Sequence, residues 1–238
     1  MFPLRDSIPS IRTPVVNVLL MVACVAVFFY QLALGPELIR FLETRAFIPA
    51  RLFFPETFQT GVLFALGAAV VSMFLHGGWL HLIGNMWFLW IFGDNVEDVL
   101  GHFRYLLFYL VCGLAATLAH ALVEPRSLIP VVGASGAIAG VLGAYFVWFP
   151  WSRVRSLVFL GFIFTVVEIP AFLFLLLWFV LQFFSGTMAL AASTASGGGV
   201  AWFAHIGGFV VGAVIALWLR FTGRVRPRGR SSIGRSAR

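Results

Sequence analysis

Long apolar runs alternate with short polar stretches along the chain, and run length sets the first reading. Val15–Leu34 is twenty nearly pure apolar residues, the length a helix needs to cross a bilayer. Phe103–Val123, Val131–Phe149 and Val200–Leu219 have the same character and predict three more spans. Two runs are shorter. Trp79–Phe92 predicts a span that apolar residues ahead of Gly77-Gly78 can extend, and a further span begins near Pro170 and runs to Phe184. Residues 1–13 are polar and belong outside the bilayer. Gly35–Thr60 is a mixed loop whose Phe and Leu residues suit the membrane interface. Val62–Leu75 is apolar but only fourteen residues long and is followed at once by His76-Gly77-Gly78, so it reads as part of that loop. Gly93–Arg104 is a polar loop, Glu124–Pro130 a tight one, Pro150–Arg155 a basic one, and Ser185–Gly199 a small-residue, flexible one. Ser156–Ile169 is β-branched, carries Glu168 and is placed at the interface.

The expected architecture is an all-α membrane protein, a six-transmembrane-helix bundle with an interfacial first loop. The bundle takes residues 14–220. It lies between an N-terminal tail, residues 1–13, and a basic, disordered tail, residues 221–238. No internal repeat of fixed period is visible.

Composition supports a lipid-facing chain. Hydrophobic residues make up 61% and charged residues 11%, against about 25% charged in a soluble domain. So little charge cannot cover a water-facing surface. All 16 basic residues are Arg, and seven of them crowd the last nineteen positions. Beside a span, such a tail fits anionic lipid headgroups better than nucleic acid. Cys24 and Cys112 fall inside apolar runs and read as small packing residues. The first apolar run is long enough to span, so no cleavable signal peptide is expected. With the N-terminus inside, the inner segments carry Arg5, Arg12, Arg104, Arg153, Arg155 and the seven tail arginines. The outer segments carry only Arg40, Arg45, Arg51 and Arg126. The positive-inside rule therefore places both termini in the cytoplasm, which needs an even number of spans.

Polar side chains inside spans are candidates for function. They are His81 and Asn85 in the second span, His120 near the end of the third, Ser135 in the fourth and His205 in the sixth. Asn85 lies one turn from His81 on the same helix face. Ser135 follows Pro130, and His205 follows Val200, by five residues, so both sit roughly 7–8 Å below the outer surface. Each has a plain structural reading: a Ser that bonds its own helix, an Asn or His that joins two helices. His120 is left with that reading, and His102 is placed in the solvated inner loop. The other four share one depth on one side, which argues for a common site.

The neighbourhoods of Ser135 and His205 favour chemistry. Gly133-Ala134-Ser135-Gly136 surrounds the hydroxyl with residues that let backbone and substrate approach. Gly136 with Gly140, and Gly208 with Gly212, give the fourth and sixth spans smooth faces for close packing. That packing would bring Ser135 and His205 within hydrogen-bond reach. A Ser hydroxyl needs a base, and neutral His is the usual one. No carboxylate shares this depth, so the pair reads as a dyad. Asn85, His81 and backbone amides near Ser135 can serve an oxyanion.

Taken together, Gly133-Ala134-Ser135-Gly136, His81-x-x-x-Asn85 and Ala204-His205-x-x-Gly208-x-x-x-Gly212 resemble the rhomboid intramembrane serine proteases. His76-Gly77-Gly78-Trp79-Leu80-His81 and Phe92-Gly93-Asp94-Asn95-Val96-Glu97-x-x-x-Gly101-His102 agree with this. The similarity covers roughly residues 15–220. The resemblance implies Ser135 as nucleophile and His205 as general base. It implies His81, Asn85 and the Ser135 amide as oxyanion donors, with His76 among the supporting residues. It implies transmembrane protein substrates with helix-breaking small residues near the cut, and a gate formed by span five with Trp178 and the loop after it. The sequence departs from the family twice. Leu66-Gly67-Ala68 lacks a Trp-Arg pair found in some members. Ala139 stands where some have a Tyr that stacks on the His. No metal or organic cofactor is implied. The alternatives are a non-catalytic rhomboid-like protein that binds membrane clients, and a small transporter. The short tails fit a bacterial inner membrane, with an organellar membrane left open.

Overall fold

A computed structural model describes residues 2–160, 163–191, 201–225 and 227. In chain order these form strand β1 (Phe2–Asp6) and helix α1 (Val15–Ala33), then four short helices, α2 (Leu38–Arg45), α3 (Pro49–Phe53), α4 (Pro55–Phe58) and α5 (Val62–Ser72). Helices α6 (Trp79–Leu100), α7 (His102–Val123) and α8 (Ser135–Trp148) follow. Strands β2 (Arg153–Leu160) and β3 (Ile163–Pro170) lead into helices α9 (Ala171–Ala191) and α10 (Trp202–Phe221). Helices α1, α7, α9 and α10 are long and apolar enough to cross a membrane. The chain is a mostly helical, integral, multi-pass membrane protein.

Helix α8 is the axis of the bundle. It packs against α6, α7 and α10, and it is buried from Gly136 to Tyr145. Small residues make this possible. A methyl group added at Gly208 would run into the carbonyl oxygen of Gly136, and one at Gly212 into that of Gly140. One at Gly143 would meet the carbonyl of Phe209. Helices α8 and α10 therefore touch backbone to backbone. Trp148 Nε1 ties the far end by donating to Ala216 O at 3.1 Å.

Four local expectations are corrected. The stretch Gly93–Arg104, expected as a polar loop, is mostly helix: α6 continues to Leu100, and Gly101 alone separates it from α7. Gly101 has φ +77, a conformation that favours glycine. Two of the acidic residues here, Glu97 and Asp98, bond to backbone amides of the preceding chain. Glu97, 2% exposed, accepts the backbone N–H groups of Val16 and Asn17 at 2.9 and 2.8 Å. Those are donors at the start of α1 that lack helical partners. Asp98 accepts the amides of Ile11 and Arg12. His102, expected in a solvated loop, stays exposed but opens α7, with Nδ1 2.5 Å from Glu97 Oε1.

Second, the helical bundle carries a small sheet. β1, β2 and β3 are antiparallel and lie in that order. Ser156–Ile169, placed at the interface, supplies most of β2 and β3, and the N-terminal residues 2–6 supply β1. Arg155 pairs with Glu168 in register, 4.0 Å between Nε and Oε1. Cross-strand partnering gives Glu168 a place that an apolar helix would not. Third, α8 begins at Ser135 rather than near Val131, so Ser135 stands at a helix end. Fourth, α9 runs past Phe184 to Ala191 and takes in part of the expected flexible loop. Residues 192–199 of that loop lie outside the described residues. So does the Arg-rich tail beyond Val225, apart from Pro227. Of the tail arginines, Arg224 lies 4.5 Å from the centre of the Trp218 ring, and Arg220 donates to Val147 O at 3.1 Å.

Candidate active site

Ser135 is the first residue of α8. His205 projects from the first turns of α10 and is 9% exposed. The glycine contacts between the two helices bring Ser135 Oγ and His205 Nε2 to 2.7 Å. In this geometry the hydroxyl can donate to the imidazole, and the imidazole can take its proton as the oxygen attacks a carbonyl. The other ring nitrogen, Nδ1, lies 2.6 Å from Oε1 of Gln182 on α9.

The segment before Ser135 passes close to His81. Gly133 has φ +126, where a side chain would be strained. A Cβ there would stand 2.7 Å from His81 Nε2 and 3.5 Å from Ser135 Oγ. His81 Nε2 and Ser135 Oγ thus border the same small space. The Gly77 amide donates to His81 Nδ1 at 3.4 Å. That bond places the ring proton on Nε2, the atom that faces Gly133, and makes His81 a donor toward the site. Gly133 N donates to Ser72 O at 2.9 Å, which fixes the approach of this strand-like segment.

Asn85 lies one turn beyond His81 on α6 and is buried, 8% exposed. Its Nδ2 finds no hydrogen-bond partner among the described residues. A buried amide donor without a partner is costly. His76 supports the wall behind. Gln31 Oε1 accepts from His76 N, and Gln31 Nε2 donates to His76 O. The His76 ring packs edge-on to His81 at 5.3 Å between centroids. The structure thus gathers Ser135, His205, Gly133 and His81, with Asn85 one turn below His81 and His76 behind it. His120 is buried on α7, and its Nδ1 has no partner among the described residues.

Sequence reasoning passes over Gln182. The rule that singles out Asn85, a polar side chain inside an apolar run, applies to it equally. Trp178, one turn earlier on α9, lies tilted against His205 at 6.0 Å, and Trp202 meets it edge-on at 6.2 Å. These two rings flank the imidazole.

The chain matches the Rhomboid domain model over residues 64–221. It is 38% identical over 96 residues to Rhomboid-like protein 11, chloroplastic, of Arabidopsis thaliana, covering 39% of this chain and 34% of the relative. It is 36% identical over 76 residues to Putative rhomboid protease YdcA of Bacillus subtilis, covering 32% and 38%. It is 44% identical over 70 residues to Rhomboid protease GluP of the same organism, covering 29% and 13%. The aligned stretch therefore spans less than two fifths of each relative's own length.

Proposed function

Because the chain belongs to the rhomboid family, whose domain it carries over residues 64–221, we propose that it is a serine endopeptidase that cuts membrane proteins within or near their transmembrane segments. One observation carries this reading above all: the 2.7 Å hydrogen bond between Ser135 Oγ and His205 Nε2. Ser135 is the nucleophile. His205 removes its proton as Oγ bonds to the scissile carbonyl carbon, and the carbonyl oxygen becomes an oxyanion. Asn85 Nδ2, the His81 Nε2–H and the Ser135 amide at the start of α8 donate to that oxyanion. When the C–N bond breaks, His205 returns the proton to the leaving amine. A water molecule, deprotonated by the same imidazole, then releases the acyl group from Ser135. Gly133, Gly136, Gly208 and Gly212 hold the pair at working distance.

In this reading α1, α6, α7, α8, α9 and α10 are six spans, and α2–α5 form an interfacial first loop. Both termini face the cytoplasm, and the arginines of the tail meet anionic lipid. Helix α8 has 14 residues, so it is about 21 Å long. A hydrocarbon core is about 30 Å thick. The start of α8 therefore lies below the outer surface, where water can reach Ser135 from outside. Substrates enter from the bilayer past α9 and Trp178, and single spans with small, helix-breaking residues fit such a site best. The membrane of residence is bacterial inner or organellar.

The test is covalent. The purified protein in detergent, treated with a fluorophosphonate, should carry one adduct, mapped by mass spectrometry to Ser135. His205→Ala should abolish labelling. An adduct on another residue, or undiminished labelling of His205→Ala, would refute the dyad.

A further inference from the structure

We propose that Gln182 is the positioning residue of the site, holding His205 in the one tautomer that leaves Nε2 free to accept the Ser135 proton. This rests on the dyad reading above. The Gln182 Oε1 atom is a pure acceptor, and it lies 2.6 Å from His205 Nδ1. The Nδ1 atom must then carry the ring proton, which leaves the Nε2 lone pair pointing at Ser135 Oγ, 2.7 Å away. In the opposite tautomer Nε2–H would donate to Oγ, and the hydroxyl proton would have no base.

Two bonds on opposite sides of the ring also fix its rotation. Trp178 and Gln182 are four residues apart on α9 and so share a face. Both meet the same imidazole, Trp178 against its plane and Gln182 at its edge. The orienter in soluble serine proteases is a carboxylate, and a buried charge inside a bilayer is costly. An amide oxygen supplies the acceptor without the charge. Among the described residues no carboxylate bonds to His205. The base is therefore set by α9 as well as by its own helix.

The experiment uses the full chain in liposomes with a tagged single-span substrate. It compares wild type, Gln182→Met, which keeps the length and loses the acceptor, and Gln182→Glu, which keeps an acceptor at the same place. Gln182→Met should lower kcat roughly ten- to a hundredfold, the worth of one hydrogen bond to a group that becomes charged, with KM within about twofold. Fluorophosphonate labelling of Ser135, which needs no substrate entry, should slow by a similar factor. Gln182→Glu should recover most of the loss, and the unfolding midpoint should separate a folding defect from a chemical one. Unchanged kcat in Gln182→Met would overturn the proposal. So would a raised KM with normal labelling, which is the mark of a gate, or a loss that Gln182→Glu does not restore. Cleavage by Ser135→Ala at the wild-type rate would instead refute the dyad reading itself.

Discussion

Replacing Asn85 by Ala separates a catalytic donor from a structural one, because the two roles predict opposite effects on stability. Asn85 is 8% exposed, and its Nδ2 has no partner among the described residues. An unsatisfied buried donor costs the folded state about 1–3 kcal/mol. Removing it should leave stability unchanged or raise it, offset in part by a few lost packing contacts. The reaction suffers instead. One oxyanion donor is worth about 2.7–4 kcal/mol of barrier, a fall of roughly 10²–10³ in kcat. The substrate's ground-state carbonyl gains little from the same donor, so KM should move by much less. The assay is steady-state cleavage in liposomes, with the thermal unfolding midpoint measured in detergent on the same preparation. A lower midpoint with kcat intact would make Asn85 a joint between helices and refute the oxyanion assignment.

Two further outcomes follow from the packing and from the half-buried carboxyl that ends β1. Gly212→Val should break the α8–α10 contact, because its side chain would meet the Gly140 carbonyl. The unfolding midpoint and Ser135 labelling should fall together, whereas Gly67→Ala, with open space around it, should change neither. Burial raises the Asp6 carboxyl from 3.8 to about 6, against the opposing pull of the Tyr145 hydroxyl that donates to it. Below about pH 4 it is protonated in either state. As pH rises the unfolded chain releases this proton first, so Asp6 costs the folded state increasing stability until about pH 6, after which the cost is constant. A hundredfold difference in proton affinity between the two states is worth about 3 kcal/mol. Asp6→Asn, which keeps an acceptor for Tyr145, should therefore gain on wild type by about that amount between pH 4 and pH 7. A difference in unfolding midpoint that is flat over this range would contradict it.

The parts legible in the sequence were those governed by apolar length and by small-residue spacing. Val15–Leu34, Phe103–Val123 and Val200–Leu219 fall within two residues of α1, α7 and α10 at each end, since nothing but lipid competes for those runs. The Gly136/Gly140 and Gly208/Gly212 spacing pointed to the contact that joins Ser135 to His205. What stayed hidden depends on partners distant in sequence. Asp94, Glu97 and Asp98 read as a polar loop because nothing local shows that α1 and its leading segment present free amides to Glu97 and Asp98. The β-branched run Thr165-Val166-Val167 carried a strand signal, but its pairing with β2, and of β2 with Phe2–Asp6, is a tertiary fact. The bond from Gln182 to His205 is another: α9 and α10 must pack before an amide in an apolar run gains a meaning.

Cleavage of a tagged single-span membrane protein by the purified chain in liposomes, wild type against Ser135→Ala, bears most directly on the proposed activity. Wild type should yield a discrete product and Ser135→Ala none, with both proteins equally folded. Equal cleavage by the two, or no cleavage by wild type over a panel of substrates with small residues in their spans, would contradict a serine protease built on Ser135.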